Sequence, residues 1–247
     1  MDIENLNSQQ PFYESAGKVN FHPANIKNDF ATVEAFKTLR SNLLFCGSDI
    51  KTIIVTSTFE NEGKSTVSAE LAKGLAEIGK KTLMIDADMR KSVVLRRSVK
   101  SQGITGLSEL LSDQATLEQV LYNTQLPEFD VIFSGHFPPN PVELLSSKKL
   151  TYYLDQFKKI YDYIIIDTPP LTPVIDAAVI SANSDGAILV VSPGKAKIKE
   201  TLAVKEQLLK SGCRILGAVV NQTDSKHRDL AHKKNYYYYG DKKSGKK

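Results

Sequence analysis

The 247-residue sequence contains no tryptophan, two cysteines and three methionines, and it has no long uninterrupted run of apolar residues. Cys46 and Cys213 stand far apart, each beside apolar residues, so we expect free thiols rather than a disulfide or a metal site. No stretch approaches the roughly 18 apolar residues of a membrane-spanning helix. The first residues also lack the basic-then-apolar order of a secretory signal peptide, so a cytoplasmic protein is expected.

The net charge is only +4, and it is unevenly distributed. Lysine and arginine are concentrated after residue 225, and the remainder of the chain is close to neutral. Because the main part of the chain has no basic excess, we expect no nucleic-acid partner, although a basic, aromatic tail that binds nucleic acid stays an alternative. With 41% hydrophobic and 24% charged residues, the composition is that of a globular domain with a full core.

The sequence divides into three regions. Residues 1–28 are polar and show no sustained periodicity, which predicts a flexible N-terminal arm. Residues 29–224 carry the apolar patterns of one folded domain. Residues 225–247 form a low-complexity, basic segment that includes four adjacent tyrosines, Tyr236, Tyr237, Tyr238 and Tyr239. Since four consecutive side chains cannot all face one core, this segment is predicted to be a flexible tail.

Within the predicted domain, short apolar runs alternate with helical patterns. The runs that we interpret as strands cover residues 51–56, 81–86, 130–133, 163–167, 187–191 and 215–220. Helices are predicted over residues 29–44, 64–79, 107–111, 117–121, 141–145, from about 147 onwards, and 196–209. This alternation predicts an α/β fold with a mostly parallel sheet and helices on both faces.

A glycine-containing turn joins the first of these strands to a helix. Gly63-Lys64-Ser65 follows the apolar run Ile53-Ile54-Val55 and opens a helical pattern, which is where a phosphate-binding loop lies. Thr58 stands where such a loop usually has its first glycine, and Asn61 tolerates a left-handed backbone. An ordinary strand-to-helix turn stays the alternative. The residues expected at a nucleotide phosphate are Asn61, Glu62, Gly63, Lys64, Ser65 and Thr66.

Carboxylates follow two other predicted strands. Asp86 and Asp88 come at the end of one strand, and Asp167 ends another. Ligands collect at the carboxyl ends of parallel strands, so these acids and the phosphate loop are expected to converge. Phosphoryl transfer uses carboxylates to hold Mg²⁺ and to orient the attacking hydroxyl. Taken singly, each aspartate is better interpreted as a turn or cap residue, and only the combination with Gly63-Lys64-Ser65 favours the phosphate site.

Charged residues three apart mark one side of the first predicted helix, which Asp29 can cap. Glu34, Lys37 and Arg40 lie away from its apolar face, and taken alone they indicate a solvated charged stripe.

Several of these segments resemble motifs of the bacterial tyrosine kinases (BY-kinases). Ile85–Arg90 resembles their Walker A′ motif, D-x-D-x-R after an apolar strand, and Ile164–Pro170 resembles their Walker B motif. Ser57–Ser65 resembles their Walker A motif, with Asn61 at a position usually held by glycine. Glu34, Lys37 and Arg40 fall on their E-x-x-R-x-x-R motif, with Lys37 in place of arginine, and Tyr236–Tyr239 resemble their C-terminal tyrosine cluster.

The resemblance implies a P-loop NTPase-like fold and an ATP- and Mg²⁺-dependent protein-tyrosine kinase that phosphorylates its own tail in trans. Lys64 would hold the transferring phosphate, Ser65 and Asp88 would sit at Mg²⁺, and Asp167 would bind through the metal's water. Asp86 would accept or orient the proton of the tyrosine hydroxyl. The resemblance also implies that Arg90 steadies developing charge and that Asn221 contacts adenine.

The same resemblance implies partners. The helix carrying Glu34, Lys37 and Arg40 would join copies of the chain into a ring, with weaker contacts through Lys37 than through an arginine. A separate membrane adaptor would complete the nucleotide site with a cytoplasmic segment and recruit the kinase to the inner face of the membrane. A tyrosine phosphatase and protein substrates would complete a role in capsular or exopolysaccharide assembly.

One rival is an ATPase switch of the MinD or ParA kind. Those proteins carry a signature lysine four residues before the glycine of Gly-Lys, and this sequence has Phe59 there. Another is a nucleotide-binding subunit without transfer activity, against which Lys64, Asp86, Asp88 and Asp167 argue.

Overall fold

The fold is an α/β sheet structure, seen in a computed structural model that describes residues 15–21, 29–92, 94, 104–172 and 176–223. Its described strands form one eight-stranded sheet in the order β1-β4-β5-β3-β6-β2-β7-β8. The strands are β1 Gly17–Val19, β2 Thr52–Ser57, β3 Thr82–Asp86, β4 Leu121–Thr124, β5 Phe129–Ile132, β6 Tyr163–Asp167, β7 Gly186–Val191 and β8 Ile215–Val220.

All neighbouring strands pair in parallel except β4 and β5. Only four residues separate β4 from β5, a connection that allows an antiparallel pair but is too short for a parallel crossover. The prediction of a mostly parallel sheet is therefore confirmed.

Helices cover both faces of this sheet, as predicted. They are α1 Phe30–Leu44, α2 Lys64–Ala76, α3 Leu107–Leu111, α4 Pro141–Leu145, α5 Lys148–Ile160, α6 Asp176–Ser181 and α7 Ile198–Lys210. Successive side chains of a strand point to opposite faces, so a strand buried on both sides feeds two cores. In β6, Ile164 and Ile166 pack with α5 and α7 residues, whereas Ile165 packs with Leu71 of α2.

The predicted N-terminal arm is partly wrong. Residues 17–19 form β1, which pairs with β4, and Phe21 is only 1% exposed. The ring of Phe21 packs edge-on against Phe129, and Gln125 bonds both the N–H and the carbonyl of Phe21. A strand of three residues is too short to show a periodicity in the sequence. The rest of the predicted arm, residues 1–14 and 22–28, lies outside the described residues.

Two short elements were also predicted wrongly. Residues 117–121 were expected to be helical, but a 3-10 turn at Leu117–Gln119 leads directly into β4. Helix α6 was not predicted, because six residues give too little apolar spacing to recognise.

The prediction of free cysteines is confirmed, since Cys46 and Cys213 are both unpaired thiols. Across the part of the chain that the structure describes, no helix has the length and apolar character needed to cross a membrane.

Candidate active site

The turn between β2 and α2 has the backbone of an anion-binding loop. Asn61 and Gly63 have φ angles of 62° and 93°, so the loop twice enters the left-handed region, as the choice of Asn61 suggested. Such turns direct N–H groups toward an anion. Helix α2 starts at the next residue, Lys64, and presents its positive end to the same place. A side chain at position 63 would overlap Asn221 Nδ2 unless Asn221 moved, so the positive φ and the close approach of Asn221 both favour glycine here.

Glu62 holds this loop with a buried carboxylate. Its Oε2 accepts a hydrogen bond from Phe59 N at 2.8 Å, and its Oε1 accepts one from Ser192 N at 3.1 Å. Asn221 Nδ2 donates to Glu62 O at 2.8 Å, which places the residue after β8 directly on the phosphate loop. The side chain of Glu62 therefore faces the protein, and its predicted phosphate contact is left to its backbone N–H.

Lys64 lies at the centre of the site and is almost fully buried. Its Nζ is 2.9 Å from Asp88 Oδ2, 3.9 Å from Asp167 Oδ1 and 3.3 Å from Ser65 Oγ. Burial alone would lower the pKa of Lys64, but the charges of Asp167 and Asp88 outweigh it and raise the pKa. The lysine therefore remains positively charged in the folded protein.

Asp86 and Asp167 face each other at the ends of β3 and β6. They are paired in register in these neighbouring strands, and both are fully buried. Asp88 N donates to Asp86 Oδ1 at 3.1 Å. Burial, with the nearby charge of Asp167, raises the pKa of Asp86 to about 8, and burial also raises the pKa of Asp167. The structure thus brings together the three predicted acids and Lys64.

The charges of this cluster suit an added cation. Three carboxyl groups lie around one lysine, and Asp167 Oδ2 has no hydrogen-bond partner among the described residues. The described residues contain no set of three Asp, Glu, His or Cys side chains arranged to enclose a metal ion. Mg²⁺ ordinarily uses one or two carboxylates and takes its other ligands from water and phosphate. Ser65, Asp88 and Asp167 supply oxygen donors of that kind.

Two serines that the sequence did not single out support the acids. Ser92 Oγ donates to Asp86 Oδ2, and Ser68 Oγ, which donates to Lys64 O at 2.9 Å, also lies 3.3 Å from Asp167 Oδ1. Ser68 could have been found, because it lies one helical turn after Lys64 and therefore on the same side of α2.

Arg90 forms a forked ion pair with Asp176. Its Nε lies 2.9 Å from Asp176 Oδ2 and its Nη2 lies 3.3 Å from Asp176 Oδ1. The hydrogen bond to Asp176 raises the pKa of Arg90. Asp176 is the first residue of α6 and is 1% exposed. The sequence offered no signal for this partner, which is 86 positions away and begins an unpredicted helix.

The three charged residues of α1 differ in their surroundings. Lys37 pairs with Glu34 at 2.8 Å on the exposed side of the helix. Arg40 instead donates to the carbonyl of Gly74 near the end of α2, at 2.9 Å. The predicted phosphorylation sites, Tyr236–Tyr239, lie outside the described residues.

The sequence was compared with protein-family models and with known proteins. A family model described as an AAA domain matches residues 50–216. The tyrosine-protein kinase CpsD of Streptococcus agalactiae is 42% identical over 193 residues, which is 78% of this chain and 84% of the relative.

Solved structures give the same result. The chimerical protein CapA2B2 is similar at a TM-score of 0.76 and 32% identity, over 86% of this chain and 96% of that one. The septum site-determining protein MinD of Pyrococcus horikoshii, complexed with Mg-ADP, is less similar, with a TM-score of 0.59 and 27% identity over 69% of this chain and 70% of that one. The sequence relatives and the fold of this chain together show that it belongs to the bacterial tyrosine-protein kinase family.

Proposed function

We propose that the chain transfers the γ-phosphoryl group of ATP to tyrosine hydroxyls, first to Tyr236–Tyr239 of neighbouring copies of itself. The observation that carries this proposal is the buried cluster of Lys64 with Asp86, Asp88 and Asp167 at the start of α2. A lysine held in place by carboxylates beside an anion-binding loop is suited to a charged phosphoryl group.

The phosphate loop binds the nucleotide through backbone N–H groups of residues 61–66 and the ammonium group of Lys64. Asn221 contacts the adenine from the end of β8. Ser65 and Asp88 would hold Mg²⁺ directly, and Asp167 would hold it through water. When bound, Mg²⁺ neutralises charge on the phosphate oxygens.

Asp86 accepts the proton of the attacking tyrosine. An unperturbed tyrosine titrates near pH ~10, so a carboxylate beside its hydroxyl helps to make the oxygen nucleophilic at neutral pH. The tyrosine oxygen forms a bond to the γ-phosphorus, the bond from this phosphorus to the β-phosphate oxygen breaks, and the proton moves to Asp86. Arg90 keeps N–H groups beyond those given to Asp176 and steadies the developing charge.

The tail reaches a neighbouring site inside a ring. Glu34, Lys37 and Arg40 contribute to the contact between copies, and tethering raises the tail's effective concentration to about the millimolar range. Each phosphate adds about −1.5 to −2 charges at pH 7, so repeated phosphorylation releases the tail and loosens the ring. A phosphorylated sample that eluted at the same size as a dephosphorylated one would contradict this regulation.

The cellular role that we propose is control of capsular or exopolysaccharide assembly. A separate membrane adaptor recruits the kinase to the inner face of the membrane, and a tyrosine phosphatase reverses the modification. Similarity to CpsD and to the CapA2B2 chimera supports this setting.

The alternative function is an ATPase switch, which the similarity to MinD favours. Against it stands Phe59 at the position of the switch proteins' signature lysine.

Intact mass and peptide mapping after incubation with Mg-ATP test the proposal. The parent should carry phosphate on Tyr236–Tyr239, whereas Lys64→Met and Asp86→Ala should not. Lys73→Met is the matched control, because Lys73 lies on the same helix and pairs only with Glu70 and Glu77 among the described residues. An unmodified parent that releases free phosphate, also with an adaptor segment added, would favour the switch.

A further inference from the structure

The carbonyl groups of the phosphate loop need partners of their own. When the N–H groups of a turn face an anion, the carbonyl groups between them point away and require donors. Two consecutive carbonyls of this loop are held by side chains from outside it. Asn61 O accepts from Lys195 Nζ and, at 2.9 Å, from Gln222 Nε2, while Glu62 O accepts from Asn221 Nδ2.

Two of these donors, Asn221 and Gln222, are anchored where the paired strands β7 and β8 end. Ser192, directly after β7, donates its hydroxyl to Gln222 Oε1 at 2.7 Å and its N–H to the carboxylate of Glu62. Asn221 N, directly after β8, donates to Val191 O at 2.8 Å. The loop is therefore attached to the carboxyl ends of β7 and β8.

These hydrogen bonds stabilise a backbone conformation that Asn61 would otherwise leave. Asn61 has a positive φ without being glycine, and Gln222 has a positive φ of 56°. Glycine adopts positive φ about as readily as negative φ, whereas asparagine prefers negative φ unless other contacts stabilise the left-handed conformation. A hydrogen bond from each of two side chains to Asn61 O opposes that return.

We propose that Lys195 and Gln222 are positioning residues that clamp the Asn61 carbonyl and so keep the phosphate loop in its nucleotide-binding shape. The proposal rests on the proposed function in taking ATP as the ligand of this loop. Neither residue needs to contact the nucleotide, because both act through the backbone of Asn61.

Binding of Mg-ADP, measured by calorimetry, tests the clamp. Losing two hydrogen bonds to one carbonyl, one of them from a charged group, should raise the Kd of the double variant K195M/Q222L about tenfold. Lys195→Arg keeps a charged donor and should stay within about threefold of the parent. Lys199→Met is the control, since Lys199 is exposed on nearby α7 and has no polar contact among the described residues.

A second background separates clamping from direct contact. In Asn61→Gly the left-handed conformation has no steric cost, so K195M/Q222L should raise the Kd by less than about threefold. The ratio of ADP affinity to GDP affinity should be the same in K195M/Q222L as in the parent, because a change in the shape of the phosphate loop affects both nucleotides equally. A penalty of the same size in both backgrounds, or a changed ADP-to-GDP ratio, would overturn the clamp in favour of direct contact with the nucleotide.

The result is independent of tyrosine transfer. If the Kd shifts as expected while Tyr236–Tyr239 stay unmodified, the clamp stands and the kinase proposal fails. If the tail is labelled but the Kd of K195M/Q222L equals that of the parent, with both proteins melting at the same temperature, the clamp is wrong and the kinase proposal stands.

Discussion

The two members of the Arg90–Asp176 ion pair should differ in their effect on folding stability. The side chain of Arg90 is 36% exposed, whereas that of Asp176 is 1% exposed. Replacing Asp176 by alanine leaves a guanidinium that water can solvate. Replacing Arg90 by alanine leaves a buried carboxylate without the cation that faces it, and this loss costs more folding free energy. We therefore expect Arg90→Ala to destabilise the protein more than Asp176→Ala.

The geometry sets the size of the difference. Breaking a fully buried pair costs about 3 to 5 kcal/mol, but water reaches one side of this pair, so we expect about 2 to 3 kcal/mol for Arg90→Ala. Asp176→Ala should cost about 1 kcal/mol, the value of ordinary hydrogen bonds. In a domain of this size each kcal/mol lowers the melting temperature by roughly 2 to 4 °C.

Thermal and urea unfolding of the nucleotide-free protein, followed by circular dichroism, measures both changes. The double variant should be more stable than Arg90→Ala alone, because removing Asp176 also removes the uncompensated charge. Lys91→Ala is the control, since Lys91 pairs with Glu60 while both are more than half exposed, and it should cost less than about 0.5 kcal/mol. Equal losses for the two single variants, or a double variant that loses their sum, would refute the reasoning.

Three further predictions concern the rest of the fold. Burial alone would raise the pKa of Asp185, but hydrogen bonds from a lysine side chain and from two backbone N–H groups outweigh it and lower the pKa. The stabilisation is therefore present above the unfolded pKa and is lost as the pH falls through the lower folded value, so Asp185→Asn should cost about 1 to 2 kcal/mol at pH 7 and progressively less as the pH is lowered below the unfolded pKa in urea unfolding. Gly63→Ala combines a positive φ with an overlap on Asn221, and calorimetry should show at least about a tenfold loss of Mg-ADP affinity without loss of fold; unchanged affinity would contradict the loop geometry. Arg40→Ala removes the donor to Gly74 O and should lower the unfolding free energy by about 1 kcal/mol when urea unfolding is measured on dilute protein, where subunits are separate. An unchanged unfolding free energy would contradict a stabilising role of this bond within the subunit.

Six of the eight described strands, and the acids, could be predicted because each has a local signal. Ile164, Ile165 and Ile166 form an apolar run that ends on Asp167, and a run of this kind at the centre of a parallel sheet is buried on both faces. The order βαβ then brings the ends of such strands to one edge. No long-range information was needed for the convergence of Asp86 and Asp167.

The supporting contacts could not be predicted because they join distant positions. Glu62 bonds Ser192 across 130 positions, and Gln222 bonds Asn61 across 161. In the sequence Glu62 is one polar residue of a loop, and nothing near it indicates that its carboxylate is buried. Residues 17–19 were missed for a related reason, since β1 owes its conformation to pairing with β4 and not to its own composition.

The pairing of β3 with β6 divides the site into fixed and adjustable parts. Asp86 and Asp167 end two strands held at the spacing of a parallel sheet, about 4.8 Å, so no loop movement can separate their backbones. The segment that carries Asp88, Arg90 and Ser92 follows the end of β3 and is not part of a described strand, so no strand-to-strand hydrogen bonds fix its backbone. Substitutions in this segment can therefore change the charges around the two strand-end acids while the backbones of those acids stay where they are.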